Sequence, residues 1–252
     1  MYFPIFTYYN CFETTNHYTS SLNNTNLEKI RSIVTKILAG DGIYAYDEIK
    51  KINKVCSAGF YARDQDNIDY IATAGHCFLD YGDFYSLIPW YSSNPTALIG
   101  PMIYHLLNPI DFGLISINED DIKPEPIIRN SDSKQYPELL IKDIMPVSSN
   151  GAHLCLSGLL THVKCGYVAA LNGFTSVGGN FRDNIFVVNL RYIPGDSGGP
   201  IFSYKSLSHV SLNGILTGGL FDFYDYINGI TGVITRSSIL NVVEDLEVII
   251  VP

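Results

Sequence analysis

The chain has 252 residues, of which 46% are hydrophobic, with 21 Gly and 12 Pro, and this composition suits one or two compact, strand-rich units around a sizeable core. No run of about 18 apolar residues occurs, so no segment is expected to span a membrane. With 25 Asp and Glu against 16 Lys and Arg, a net charge of -9 and no basic cluster, the sequence also argues against nucleic acid as a partner.

The amino-terminal region divides into a polar stretch and a predicted helix. Residues 1–24 are rich in Asn, Thr and Tyr, and little order is expected there. Thr25-Asn26-Leu27-Glu28 then has the Ser/Thr-x-x-Glu form of a helix capping box. Apolar residues follow at helical spacing, namely Leu27, Ile30, Ile33, Val34, Ile37 and Leu38. The pattern predicts one short amphipathic helix before Gly40.

After Gly40 the pattern changes to short apolar or alternating runs between turn residues, which is typical of β-strands. The predicted strands are 60–62, 68–72, 85–88 and 114–117 in the first half, and 163–170, 186–190, 201–204, 212–217 and 229–234 in the second. Ser237 and Ser238 open a stretch that suits a closing helix, with Ile239, Val242, Val243 and Leu246 on its apolar face, followed by residues 248–251. The chain is therefore predicted to be all-β with a short C-terminal helix.

The run Gly195-Asp196-Ser197-Gly198-Gly199-Pro200 carries the strongest functional signal. A serine hydroxyl is a weak nucleophile, so an enzyme that uses one must expose it, activate it with a base and stabilise the oxyanion that forms. The glycines allow unusual backbone conformations around Ser197, so that the amides of Gly195 and Ser197 can converge as an oxyanion hole. A glycine-rich turn with an incidental serine is the alternative, and the full hexapeptide disfavours it.

His76 and Asp111 are the candidate partners of that serine. Thr73-Ala74-Gly75-His76-Cys77 follows a strand-like run, which places His76 at a strand end. Asp111 opens an apolar strand; a lone aspartate there is usually a turn residue. The order His76, Asp111, Ser197 matches one of the three known triad orders and favours the catalytic role. No chemistry is assigned to the other histidines, His17, His105, His153, His162 and His209.

These motifs resemble those of the chymotrypsin-like serine endopeptidases, and within them the streptogrisin and alpha-lytic branch. The resemblance extends over residues 37–252 and rests on four stretches. Residues 37–44 resemble the start of a mature streptogrisin, and residues 56–60 resemble the strand before its histidine loop. Residues 111–114 resemble the aspartate strand, and residues 155–166 resemble a short disulfide hairpin. It implies two six-stranded antiparallel β-barrels, at about 37–135 and about 150–252, with residues 137–150 in the crossing segment and the active site in the crevice between the barrels.

The resemblance also implies a mechanism. Ser197 would attack the scissile carbonyl while His76 takes its proton and passes it to the leaving amine, and Asp111 would fix the imidazole tautomer. The expected substrate is a protein or peptide, no cofactor or metal is required, and the chain is expected to act as a monomer. A catalytically inactive, protease-like binding protein and another acyl hydrolase such as an esterase are the alternatives.

The cysteines indicate the redox environment in which the protein acts. By the family's pattern Cys56 pairs with Cys77 and Cys155 with Cys165, which leaves Cys11 over. Two bridges indicate an oxidising compartment, so secretion is expected. No signal peptide is visible in residues 1–13, where polar residues interrupt the apolar ones. A metal site is disfavoured because no cysteine pair has Cys-x-x-Cys spacing.

By the same resemblance, Thr217, Gly218 and Gly219 would bind the substrate backbone, and residues 191–194 and those around Gly229 would wall the primary pocket. Arg191 stands where the branch has a cysteine. A solvated Arg191 is one interpretation; an inward-pointing one would favour an acidic residue on the acyl side of the cut. No aspartate occurs in 189–194, so preference for Lys or Arg is not expected.

Asp196 is expected to be buried beside Ser197 and to need a partner. Leu156 stands where the bacterial branch has an arginine for this purpose. The run from Lys36 resembles the junction at which animal enzymes release an amino group, so residues 1–36 are expected to be the remnant of a pro-segment. The amino group of Ile37, Arg182 and Arg191 are the candidate partners of Asp196.

Overall fold

The computed structural model describes residues 34–82, 84–177, 179–221 and 229–252, together with the two-residue strand Pro4–Ile5 (β1). Strands form three sheets of ten, five and four members. The helical elements of these residues are a 3-10 turn, Gly75–Cys77, and one α-helix, α1, Arg236–Leu240. Within this part of the chain no helix is long and apolar enough to cross a membrane.

The two smaller sheets together form the first barrel. Its strands, preceded by β2 (Thr35–Ala39), are β3 (Gly42–Asp47), β4 (Ile52–Ser57), β5 (Phe60–Arg63), β6 (Asp69–Thr73), β7 (Tyr85–Ile88), β8 (Ala97–Gly100), β9 (Met102–Leu106) and β10 (Phe112–Ser116). Short breaks separate β4 from β5 and β8 from β9, so each pair forms one bent strand. All pairings among these strands are antiparallel, and they close a six-stranded ring.

The larger sheet contains the second barrel. Its strands are β11 (Ile122–Arg129), β12 (Glu138–Ile144), β13 (His153–Gly158), β14 (His162–Val177), β15 (Asn180–Asn189), β16 (Pro200–Tyr204), β17 (His209–Phe221) and β18 (Gly229–Thr235). The order β16-β13-β14-β15-β18-β17 closes because β16 also pairs with β17. This second antiparallel ring of six confirms the predicted two-barrel fold.

The remaining strands extend the second barrel. From β17 the sheet continues through β12 and β11 to β2, while β1 pairs with β14. The last strand, β19 (Glu247–Val248), returns to pair with β5 of the first barrel. The predicted crossing segment 137–150 thus contains one strand, β12. Strands β2 and β11 precede residue 135, yet they belong to the sheet of the second barrel.

One apolar cluster joins the barrels. Phe60 and Phe112 of the first barrel stack with ring centroids 6.5 Å apart, and the same buried cluster contains Phe202 of the second barrel and Ile239 of α1. Burying each phenylalanine side chain contributes about 1.5–3 kcal/mol. The closing helix is therefore confirmed, but it ends at Leu240, so Val242, Val243 and Leu246, predicted on its apolar face, lie beyond it. The helix packs into the core that fixes how the barrels meet.

The predicted amino-terminal helix is wrong at its C-terminal end. Ile37 and Leu38 lie in β2, which pairs in parallel with β11. Both side chains are buried although they are adjacent in sequence, because β2, the last strand of its sheet, is covered on both faces. The rest of the predicted helix, up to residue 33, lies outside the described residues.

Candidate active site

His76 and Asp111 meet because the strands that carry them are neighbours. His76 lies in the 3-10 turn after β6, Asp111 immediately precedes β10, and these strands pair with Thr73 opposite Gly113. His76 Nδ1 lies 2.7 Å from Asp111 Oδ2, and the His76 amide donates to Asp111 Oδ1 at 2.7 Å. Since an ionised carboxylate only accepts, Nδ1 carries the hydrogen in this contact.

Asp111 is completely buried and surrounded by donors. Thr217 Oγ1 donates to Oδ2 at 2.7 Å, and Arg182 Nη1 lies 3.3 Å from the same oxygen. Burial raises the pKa of Asp111, but the charge and hydrogen bond of His76, the charge of Arg182 and the hydrogen bond of Thr217 outweigh it, so the pKa lies below its ordinary value. Asp111 is therefore ionised at neutral pH.

Thr217 and Arg182 both lie beside Asp111. Thr217 was expected to bind substrate backbone, which stays a prediction, and its side chain donates to Asp111. Arg182 was considered as a partner of Asp196, and it lies against Asp111. Sequence offered no signal for Arg182, which reaches the site from a distant strand.

Ser197 lies in a turn that requires glycine on both sides. Gly195 has φ +117° and Gly198 has φ +85°, a region that residues with side chains rarely adopt. Ser57 holds the turn from the first barrel, since its amide donates to the Ser197 carbonyl at 2.8 Å and its hydroxyl to the Gly195 carbonyl at 2.9 Å. On the other side the Gly198 amide donates to the Leu216 carbonyl at 2.9 Å.

The turn of Ser197 packs against both flanks of His76. A Cβ on Gly198 would overlap Thr73 Oγ1 and lie 2.8 Å from the Ala74 nitrogen, so only glycine permits this approach. On the other flank Cys77 Sγ lies 3.9 Å from the Ser197 carbonyl oxygen. The fold thus brings together His76, Asp111 and Ser197.

The amides of Gly195 and Ser197 stay the predicted oxyanion donors. The hydrogen bonds described for this turn use the amides of Asp196, Gly198 and Gly199 and not those two. Amides that converge beside a serine hydroxyl can stabilise an anion that forms there.

Asp196 is held by backbone amides. Its Oδ1 accepts from Leu160 and Thr161 at 2.8 and 3.0 Å, and its Oδ2 accepts from Ile193 at 2.7 Å. Burial raises its pKa in spite of these bonds. The expected pairing with the amino group of Ile37 is not formed, since Ile37 lies inside β2 opposite Pro124.

Both predicted disulfides are present. Cys56–Cys77 ties β4 to the turn that carries His76, and Cys155–Cys165 bridges β13 and β14. Cys11 lies outside the described residues. Two clusters bring cysteines near histidines, Cys56 and Cys77 near His76, and Cys155 and Cys165 near His153. Their cysteines are oxidised and offer no thiolate to a metal.

Hydrogen bonds tie the walls of the predicted primary pocket. Tyr192 Oη donates to the Gly219 carbonyl at 3.0 Å, and Thr231 Oγ1 donates to the Leu190 carbonyl at 3.0 Å. Tyr192 is buried in an apolar cluster of the second barrel. These contacts join segments that a disulfide joins in the branch it resembles. Arg191 is half-buried beside them, and Gly218 continues β17 as expected.

Comparisons with known proteins agree with this arrangement. No family model matches the chain. Serine protease 2 of Streptomyces fradiae is 27% identical over 170 residues, which are 66% of this chain and 88% of that protein. A glutamic acid-specific serine protease superposes with a TM-score of 0.67 at 22% identity, over 84% of this chain and 100% of the other. The alpha-lytic protease homologue N4 gives 0.63 at 18% identity, over 83% and 98%. The chain thus has the fold of the chymotrypsin-like serine proteases, and its resemblance to their streptogrisin and alpha-lytic branch is confirmed.

Proposed function

We propose that the protein is a serine endopeptidase that hydrolyses peptide bonds through an acyl-enzyme intermediate. The contact of His76 with both oxygens of the buried Asp111 carries this proposal. It orients the imidazole beside a serine turn whose backbone conformation requires glycine at positions 195 and 198. The serine proteases among the similar proteins support the same class of reaction.

Each group has one role in the proposed mechanism. Ser197 Oγ attacks the scissile carbonyl as His76 Nε2 takes its proton, and Asp111 stabilises the imidazolium. The amides of Gly195 and Ser197 bind the oxyanion, and losing one such donor costs about 10²–10³ in turnover. His76 then protonates the leaving amine, and a water activated by the same histidine releases the acyl group.

Substrate would bind along β17. Its residues 217–219 lie past the segment that pairs with β16, so an extended peptide can add alongside them. Arg191 walls the primary pocket together with Tyr192. Since residues 189–194 supply no carboxylate, a basic side chain before the cut would have no counter-ion from this wall.

The disulfides and the contacts of Asp196 bear on secretion of the protein and on removal of its amino-terminal residues. Two disulfides support secretion into an oxidising compartment. Removal of residues 1–36 remains part of the proposal, although Thr35 and Lys36 lie within β2. Because three amides already hold the Asp196 carboxylate, we infer that cleavage is not needed to order the oxyanion hole. All proposed catalytic groups belong to one chain, which supports action as a monomer.

A fluorophosphonate probe tests the proposal, because it reacts only with an activated serine. Wild-type protein should be labelled at Ser197, as peptide mapping would show, and Ser197→Ala should not. Digestion of an unfolded protein substrate should follow labelling. A folded wild-type protein that the probe does not label would contradict the proposal and favour the inactive binding protein. Labelling with cleavage of esters alone would favour an esterase.

A further inference from the structure

Arg182 reaches across the molecule to the catalytic aspartate. It lies in β15, opposite Thr175 of β14, in the long hairpin of the second barrel. Its Nε donates to the Leu107 carbonyl at 2.8 Å, and its Nη1 lies 3.3 Å from Asp111 Oδ2. Only 4% of the residue is exposed. A buried arginine is costly unless its charge is compensated, and here the compensating charge is that of Asp111.

One oxygen of Asp111 is shared by Arg182 and the imidazole. Oδ2 contacts His76 Nδ1 at 2.7 Å and Arg182 Nη1 at 3.3 Å, so these two nitrogens are no more than about 6 Å apart. A fixed cation therefore faces the position where the imidazolium charge develops in the reaction. Among the described residues, the side chains around this carboxylate are His76, Arg182 and the uncharged Thr217.

We propose that Arg182 is a positioning residue for the reaction: it holds Asp111 as an anion in a buried site and opposes the uptake of a proton by the pair that His76 and Asp111 form. The proposal rests on the function proposed above. Arg182 contacts neither Ser197 nor the oxyanion donors in the described structure, so its influence passes through Asp111. Its bond to the Leu107 carbonyl also steadies the chain just before Asp111.

The direction of the effect follows from charge alone. When a proton is bound, the pair of His76 and Asp111 is neutral overall; when it is lost, the pair carries one negative charge. The positive charge of Arg182 favours the negative state, whichever of the two groups held the proton. Replacing Arg182 by a neutral residue should therefore raise the pH at which the pair takes up its proton, by about one pH unit.

Nuclear magnetic resonance of isotope-labelled histidine measures this without any substrate. The full chain with Ser197→Ala, which cannot digest itself, serves as the parent, and His76→Gln identifies the His76 signal. The midpoint of the His76 titration should rise in Arg182→Met and Arg182→Gln, and should stay near that of the parent in Arg182→Lys, which keeps the charge. Arg129→Gln is the matched control, because it removes another largely buried arginine, paired with Asp41, and should leave the midpoint unchanged.

Labelling by the fluorophosphonate probe supplies the second measurement, in proteins that retain Ser197. The acidic limb of the labelling rate against pH should move upward in the same two variants. Unmoved His76 midpoints in folded Arg182→Met and Arg182→Gln, or an equal rise in Arg182→Lys, would overturn the proposal. A rise of the midpoint in a protein whose wild type is never labelled would uphold the coupling and reject the proposed function instead. If Arg182→Met does not fold, the comparison of the glutamine and lysine variants decides.

Discussion

Ser57 of the first barrel donates its hydroxyl to the Gly195 carbonyl of the second at 2.9 Å. Ser57 Oγ also accepts a hydrogen bond from the Leu159 amide at 3.0 Å, and the Ser57 amide donates to the Ser197 carbonyl. One side chain at the end of β4 therefore links the serine turn to the hairpin that holds Asp196. The shape of the proposed oxyanion hole depends on how the two barrels dock.

Ser57→Ala should loosen this link. It leaves the buried Leu159 amide without its acceptor, which costs about 1–3 kcal/mol of stability. Displacement of Gly195 should slow labelling of Ser197 by about 10- to 100-fold, since small misplacements of reacting groups are costly. Ser116→Ala is the control, because it removes a buried hydroxyl bonded to Asn118 in the first barrel. An equal loss of labelling in both variants would show that Ser57 acts only through global stability.

Substitution of the proposed triad gives the second prediction. Ser197→Ala should lower turnover by about 10⁶-fold and Asp111→Asn by about 10⁴-fold, the latter because the wrong imidazole tautomer results. Steady-state cleavage of a peptide measures both, and circular dichroism should show an intact fold for the serine variant. Full activity of a purified Ser197→Ala protein would remove Ser197 from the mechanism.

The amide cradle of Asp196 leads to the third prediction. Because the amides of Leu160, Thr161 and Ile193 already donate to both carboxylate oxygens, acetylation of the terminal amino group should leave the labelling rate unchanged. Asp196→Ala should lower that rate, since the three amides lose their common acceptor and the neighbouring Gly195 is released. Amino-terminal sequencing of the labelled protein shows which form was tested. Loss of labelling on acetylation would instead indicate that an amino group orders the site.

Tyr192 gives the fourth prediction. Tyr192→Phe removes the hydrogen bond to the Gly219 carbonyl but keeps the ring, whereas Tyr192→Ala also empties the space between the walls. The alanine variant should accept larger side chains before the cut than the wild type. The phenylalanine variant should prefer the same side chains as the wild type but discriminate between them less strongly. A peptide library profiles all three proteins. Identical profiles would place the ring outside the pocket.

The residues of the candidate site have local signals in the sequence, whereas several of the strands that carry them do not. The glycines around Ser197 and the strand ends at His76 and Asp111 are local signals, and the structure brings these residues together. Local patterns failed where tertiary contacts decide. β2 resembles a helix because three successive residues are buried on both faces, and β8 and β9 were missed because exposed Leu98 and Ile103 interrupt their alternation.

The contacts that Arg182 and Asp196 make with distant segments could not be predicted. Arg182 reaches Leu107 and Asp111 only because the hairpin β14–β15 extends to the first barrel. The partner of Asp196 was sought among cations, since burial of a carboxylate calls for one, and three amides of two separate loops serve instead. Backbone donors leave no trace in residue type, so no pattern in the sequence points to them.

The opposite pKa directions of Asp111 and Asp196 give the last prediction. Asp111 has a pKa below its ordinary value of 3.8, so the stability that it contributes is present above that pH and is lost as the pH falls through the folded-state value. Burial raises the pKa of Asp196, so the native state binds its proton more tightly, and this contribution is lost as the pH rises through the folded-state value.

Thermal unfolding from about pH 4 to about pH 7 separates the two groups. The melting temperature of wild type minus that of Asp111→Asn should stay nearly constant over this range and fall only at lower pH, because Asp111 is already ionised above its ordinary pKa of 3.8. The same difference for Asp196→Asn should shrink, because ionising the buried Asp196 weakens the wild type while the amide variant does not titrate. If both differences shrink as the pH rises, the pKa values of Asp111 and Asp196 do not depart in opposite directions from the ordinary value, as the structure indicates they do.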